Sequence, residues 1–352
     1  MSIKMAIIGM GGMAGWHFKT IEGHVEGIEV TAGYDINPET RKKRKEEWGI
    51  TVYETAEEIY ADPNIDIVLI ATPNDVHAEY AIACMRAGKH VVCEKPVTMN
   101  VKELEEVIAV MNETGKFFSI HQNRRWDADY LAIRKILEDG LLHKPYTIKS
   151  SVHGSRRLYG WRAFKPNGGG LLLDWGVHLL DQMLDLINEP VVSVYGHLHL
   201  LEGSEVDDCF TAVLRFEGGC TAVVDISTNS FVVEPRWKMF CEDGTAVIED
   251  WERKGKIVKQ ADPEEKDWTE TLIYTAAGPT RIMLPRPKDT TEEIPLPKIS
   301  HSVWENYYKN VVAHLNGKEE ARVTAAQGLR VMKVIEALFE SNKTGTAVVG
   351  KI

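Results

Sequence analysis

Long apolar runs are missing from this chain. No stretch of about eighteen apolar residues occurs, so no segment reads as a transmembrane helix. Met1-Ser-Ile-Lys4 passes into a strand without the apolar region of a secretory signal, which predicts a cytoplasmic protein with no membrane partner. Cysteine is scarce: Cys84, Cys93, Cys209, Cys220 and Cys241 are odd in number, widely spaced and without a C-x-x-C pair, as reduced core or strand residues would be. The twelve histidines form no H-x-x-x-H pair, and no metal site is expected. Positive charge is short as well. A net charge of −11 argues against a nucleic-acid surface, and the one dense basic run, Arg41-Lys-Lys-Arg-Lys45, reads as a solvated helix face. Internal repeats and low-complexity tracts are absent too.

What is present belongs to a globular protein: 352 residues suffice for two domains, and 44% hydrophobic with 26% charged content gives each a core and a polar surface. The most informative stretch is Met5-Ala-Ile-Ile-Gly-Met-Gly-Gly-Met-Ala14, where a buried parallel strand runs into a glycine-rich turn. Gly9, Gly11 and Ala14 fit G-x-G-x-x-G/A: a tight turn, close backbone approach to a pyrophosphate, and packing of the next helix. Gly12 and Met13 lie in the same turn, where the helix N–H groups face the phosphates. A second run, Ile28 to Tyr34, ends in Asp35, placed to accept from ribose hydroxyls.

The alternation continues. Asn37-Pro38 starts a helix that Gly49 stops, Thr55 to Glu58 is a capping box, and Ile65 to Ala71 is a third buried strand. It ends in Thr72-Pro73-Asn74, beside the cofactor if ligands sit beyond the carboxyl ends of strands. His77, in the following helix, faces either cofactor or solvent. His90 to Cys93 ends in Glu94-Lys95-Pro96; Lys95 either meets a substrate hydroxyl or forms a surface ion pair. After a helix from Asn100 to Thr114 and a strand from Phe117 to His121, the alternation stops, so residues 1–122 read as a doubly wound dinucleotide-binding domain. Residues 123–352 read as an α+β domain: a helix over Asp127 to Glu138, period-two segments from Tyr146 to Glu249 forming an open, mostly antiparallel sheet, polar loops with short strands from Arg253 to Glu293, then helices over Ser302 to Leu315 and Thr324 to Glu340. One sheet face is left over for a homodimer or homotetramer.

Within that second part, Gly168-Gly-Gly-Leu-Leu-Leu-Asp174-Trp-Gly-Val-His178-Leu-Leu-Asp181 sets an acid and a base four apart, on one face of a helix, with Asp181 close by. The pair is either a proton-transfer unit in which the carboxylate orients the imidazole, or an acid satisfying the helix dipole with a half-buried histidine behind it.

Gly9-x-Gly11-x-x-Ala14, Ala71-Thr-Pro-Asn74 with His77, Glu94-Lys95-Pro96, and Gly169-Gly170 to Asp174 to His178 occur in the order of the glucose-fructose oxidoreductase, inositol dehydrogenase and rhizopine-catabolism oxidoreductase family, which the whole chain resembles. Gln122-Asn-Arg-Arg-Trp126 and Asp174-x-Gly-x-His178-x-x-Asp-Gln182 are most similar to its scyllo-inositol dehydrogenase-like branch. The resemblance implies a dinucleotide held by the glycine turn, Asp35, Thr72 to Asn74, His77, Glu94, Lys95 and Asn123. It makes Lys95 a catalytic acid/base and substrate anchor, and Asp174 and His178 the substrate-contacting pair, with Asn123, Arg124, Trp161 and Arg162 lining the pocket. Asp35 favours NAD over NADP. The implied activity is NAD-dependent oxidation of a ring hydroxyl of a sugar, glycoside or inositol; the alternatives are a redox-neutral sugar- or glycoside-converting enzyme with retained NAD, and a non-catalytic cofactor sensor. Arg156, Arg157, Tyr159 and Lys165 are close in sequence to Trp161 and Arg162, and the arginines suit either hydroxyls or an anionic group on the substrate.

Overall fold

Met5, Ala6, Ile7 and Ile8 are fully buried because their strand lies in the middle of a parallel sheet covered on both faces. The computed structural model describes residues 2–262, 273–280 and 288–352. Strand β1 (Ile3–Ile8) leads through the glycine turn to helix α1 (Gly12–Ile21) and β2 (Ile28–Tyr34). Helix α2 (Pro38–Trp48), β3 (Thr51–Val52), α3 (Ala56–Ala61) and β4 (Ile67–Ile70) follow. Then come α4 (His77–Arg86), β5 (His90–Cys93), α5 (Val101–Thr114) and β6 (Phe118–Ile120). The strand order is β3-β2-β1-β4-β5-β6, every pairing parallel. The order reverses between β1 and β4, so a crevice opens beyond their carboxyl ends. Local signals set the helix ends. Asn37 caps α2, Thr55 and Glu58 form the capping box of α3, and Gly49 and Gly115 close their helices in the left-handed conformation.

Helix α6 (Ala128–Glu138) leads into the second sheet through β7 (Pro145–His153); α7 (Val177–Leu186) then packs beneath it. Strands β8 (Val191–His199), β9 (Cys209–Phe216), β10 (Thr221–Ser227), β11 (Trp237–Cys241), β12 (Gly244–Ile248) and β13 (Gly255–Gln260) build its body. A small hairpin, β14 (Ile273–Thr275) with β15 (Gly278–Thr280), lies apart, and β16 (Thr291–Ile294) forms one edge. Helices α8 (Glu305–Leu315) and α9 (Ala325–Thr344) precede β17 (Val348–Val349) at the other edge. The order is β16-β13-β12-β11-β7-β10-β9-β8-β17, antiparallel except for β7 with β10. That parallel pair arises because the chain leaves β7, crosses through α7, and returns as the β8-β9-β10 meander to lie beside it. Of the segment expected to be loops with short strands, β13 and β16 join the main sheet; residues 263–272 and 281–287 lie outside the described residues.

The last two helices return to the first sheet. Tyr307 donates to Ser119 Oγ at 3.0 Å, and α9 packs on α5 as well as on α7 and β8. All five cysteines are free. Among the described residues, no helix is long and apolar enough to cross a membrane.

Candidate active site in the crevice

Gly9 has φ +87°, and a Cβ there would lie 2.7 Å from the carbonyl oxygen of Ala71, so the turn between β1 and α1 passes too close to the end of β4 for any side chain. Gly11 and Gly12 behave oppositely: nothing lies within 4 Å of where their Cβ atoms would be. The first turn of α1 carries no side-chain cap and no acid, which leaves its N–H groups facing open space. Behind the turn, Arg44 Nε donates to the Met10 carbonyl at 2.9 Å and clasps the loop from α2. Asp35 accepts from Met10 N–H and Asn37 N–H, each at 2.8 Å, which fixes its carboxylate at the crevice rim. An uncapped helix N-terminus, a bare glycine cradle and a rim carboxylate together fit a dinucleotide with pyrophosphate on the helix and ribose on the acid.

The crevice encloses about 850 Å³. Gly9, Gly11, Gly12, Met13, Asp35, Thr72, Pro73 and Asn74 line one end; Glu94, Lys95, Asn123, Arg124, Trp161, Arg162, Asp174 and His178 line the other. Two expected cofactor residues do not. Ala14 is fully buried, packing α1 against the sheet as the third motif position requires. His77 faces neither cofactor nor solvent: fully buried, its Nδ1 lies 2.9 Å from the Pro96 carbonyl and its Nε2 3.0 Å from that of Thr72, so it ties two strand-end turns together from behind.

The acid of the turn before α7 and the base of α7 are partnered differently from the sequence expectation. Lys95 Nζ donates to Asp174 Oδ1 at 2.9 Å and to its carbonyl at 2.7 Å, and Arg162 Nε lies 3.2 Å from the same carboxylate. Burial pushes the Asp174 carboxyl up, but the two cations outweigh it and hold the group below the usual range. His178 is instead held by Gln122, whose Oε1 lies 3.1 Å from Nδ1. The segment before α7 is a π-helical turn over Leu172–Gly176, and partners from distant parts of the chain decide the pairing: two cations take the Asp174 carboxylate and the Gln122 amide takes the imidazole. Burial, with Lys95 and Arg124 nearby, holds the His178 pKa well below the ordinary value, so the imidazole is neutral at pH 7. Asp181 leaves the site altogether, forming a buried two-bond pair with Arg125.

Several participants were not foreseen. Glu94 Oε1 accepts from His17 Nε2 at 2.7 Å and His121 Nδ1 at 2.8 Å, while Glu94 Oε2 accepts from Lys95 N–H at 3.0 Å. Despite burial, the imidazole donors hold the Glu94 carboxyl well below its usual range. Tyr308 donates to His17 Nδ1 at 2.5 Å, which completes a buried chain behind Lys95. The three ligand-type atoms are close enough for a metal, yet each is already used in a direct hydrogen bond that an ion would have to displace. His17 had a sequence signal: Ala14, His17 and Ile21, spaced three and four apart, are the buried stripe of α1. Tyr308 had none, because its partner is distant in sequence; Gln122 heads the Gln122-Asn-Arg-Arg-Trp126 segment, but its contact with His178 leaves no spacing to read. At the start of the α7 segment, Asp207 Oδ2 accepts the Leu172 N–H at 2.7 Å, and a Cβ on Gly170 would fall 2.2 Å from Asp207 Oδ1. Glycine at 170, with φ +106°, is the condition for that contact.

Residues 3–122 match the model of an oxidoreductase family with an NAD-binding Rossmann fold, and residues 130–247 match the GFO/IDH/MocA C-terminal domain. The chain is 29% identical to scyllo-inositol 2-dehydrogenase (NADP(+)) IolW of Bacillus subtilis, across 97% of this chain and 94% of that one. It is 27% identical to myo-inositol 2-dehydrogenase of Thermotoga maritima, across 65% and 69%. An NAD-binding protein from Listeria innocua superposes with a TM-score of 0.87 at 38% identity, covering 99% of this chain and 97% of its own. Both halves of the chain, the glycine cradle and the lysine at the end of β5 thus agree: the protein belongs to the Gfo/Idh/MocA oxidoreductases, with that family's NAD-binding fold as its first sheet.

Proposed function

We propose that the protein transfers a hydride between a ring hydroxyl carbon of a sugar, glycoside or inositol and NAD, with Lys95, Asp174 and His178 at the reacting end. The observation that carries this reading is the Lys95–Asp174 pair: an ammonium and a carboxylate, each about one-eighth exposed, share a crevice wall with a neutral imidazole. The glycine turn and Asp35 would hold the pyrophosphate and ribose. When bound, the nicotinamide supplies the acceptor for the hydride leaving the ring carbon. Gln122 accepts from His178 Nδ1–H, so Nε2 is left with its lone pair and takes the hydroxyl proton as the C=O bond forms. Lys95 Nζ donates to the same oxygen and stabilises the negative charge that develops on it. Asp174 and Glu94 hold that ammonium in place, one at its head and one through its backbone N–H. The test is NADH formation with excess NAD and a panel of inositols, sugars and glycosides. Net NADH with a ring polyol supports the dehydrogenase; product without net NADH, on retained nucleotide, replaces it with a redox-neutral conversion.

The rim supports NAD over NADP. Ile36, 83% exposed beside Asp35, offers no donor to a 2′-phosphate, and Arg41 is taken up by the Asp35 carbonyl and by Glu54 at 2.5 Å. The double substitution Asp35→Ser, Ile36→Arg is expected to shift the NAD/NADP ratio of kcat/KM about tenfold or more towards NADP. Wild-type protein using NADP as well as NAD would overturn the preference. The uncovered face of the second sheet carries Tyr195, Val213 and Val223 in one cross-strand row, and it supports association of two or four copies, read by light scattering.

A further inference from the structure

A second chamber of about 710 Å³ adjoins the crevice, and Arg124, Arg162, Asp174 and Trp175 belong to the walls of both. The reacting end therefore opens into a space that the dinucleotide does not need. Its wall chemistry is unlike the rest of this acidic protein. Five arginines line it, namely Arg124, Arg156, Arg157, Arg162 and Arg253, against three carboxylates. Each carboxylate is already matched: Asp127 by Arg124 and the Trp304 indole N–H, Asp129 by Arg236 and the Trp237 indole N–H, and Asp174 by Lys95 and Arg162. Arg156, Arg157 and Arg253 meet no carboxylate among the described residues; the Arg253 guanidinium donates to the Ser300 carbonyl. Aromatic rings line the same chamber. Trp175 and Trp251 stand with ring centroids 6.0 Å apart, and Arg124 lies 4.0 Å over the Trp175 ring.

Surplus guanidinium groups and indole rings lining one chamber, on a chain of net charge −11, select for an oxyanion attached to a ring. Resting on the dehydrogenase reading above, we propose that the substrate is an extended anionic carbohydrate. Its reacting ring lies against Lys95, and a carboxylate or phosphate on its distal part is received in the chamber by Arg156, Arg157 and Arg253. A neutral monocyclic polyol would fill the reacting end and leave these cations unpaired.

The test uses the full chain with NAD added and follows tryptophan fluorescence, since Trp175, Trp251 and Trp304 line the chamber. D-glucuronate, D-glucose 6-phosphate and D-glucose are titrated into wild type and into the double variant Arg156→Gln, Arg157→Gln. Unchanged melting temperature and NAD affinity serve as its folding control. At least one anion is expected to bind about tenfold or more tightly than glucose, and to lose about tenfold or more in the variant. Preference between the two anions identifies carboxylate or phosphate as the source. Equal binding of glucose and both anions, no binding of either anion, or anion binding unchanged in the variant overturns the proposal. The two readings fail separately: net NADH from neutral polyols without anion selectivity sinks only the chamber proposal, whereas selective anion binding with no hydride transfer to any substrate sinks only the dehydrogenase.

Discussion

Replacing Lys95 by methionine is expected to lower turnover by roughly a hundredfold or more while leaving NAD affinity nearly unchanged. The side chain keeps its length and apolar stem, so the end of β5 stays packed, but the ammonium that bridges Asp174 Oδ1 and its carbonyl is gone. Arg162 still faces the carboxylate, which keeps the group charged and α7 in place. The glycine cradle and Asp35 lie at the far end of the crevice, so cofactor binding has no reason to change. The loss should fall on kcat, because stabilisation of charge on the reacting oxygen exists only as the carbonyl forms. Near-normal turnover would remove Lys95 from the chemistry. Lys95→Arg separates two parts of the role: a large loss there too would mean that a proton must leave the side chain, whereas partial recovery would mean that positive charge alone suffices.

How much of this was legible in advance follows from the range over which each interaction acts. The first sheet was readable nearly element by element, because strands buried on both faces write continuous apolar runs and their helices carry their own caps, as at Asn37, Thr55 and Gly115. Lys95 was readable from a rule about where parallel strands end. The pairing inside the site was not. Lys95 reaches Asp174 across 79 residues, and Gln122 reaches His178 across 56, so neither contact leaves a spacing in the sequence. The expected Asp174–His178 contact weighed only neighbours on one helix, whereas Lys95, Arg162 and Gln122 arrive from elsewhere in the chain and take the two side chains. Burial misled in the same way at His77: a histidine in the first turn of a helix looks available, and only the fold shows two carbonyls closing over it.

Asp207 yields the second large effect. Burial lifts its carboxyl from the ordinary 3.8 to about 7, against the opposing pull of the Leu172 N–H, and the neighbouring Asp208 adds to the rise. The native state thus keeps this proton up to about pH 7, while the unfolded chain releases it near 3.8. Between those values the folded form binds more protons, so stability falls as pH rises. The contribution is complete below the unfolded value and is lost through pH 7. Its size is on the order of 4 kcal/mol at most, from roughly three pKa units. Buried histidines act in the opposite direction: His178, His77 and His121, the last held down to about 4, are more readily protonated in the unfolded chain, so their terms favour the native state as pH rises towards the ordinary 6.5. The raw pH profile mixes both, and the Asp207→Asn variant separates them. Asparagine is nearly isosteric with the protonated acid and can still accept the Leu172 N–H, so at pH 5 the two proteins should melt close together. At pH 8 the variant should melt higher, because wild type then carries an unmatched buried carboxylate against the glycine run that leads to Asp174. A difference in melting temperature that stays constant from pH 5 to pH 8 would show that Asp207 does not titrate in that window, and would leave its contact with the Leu172 N–H a plain hydrogen bond.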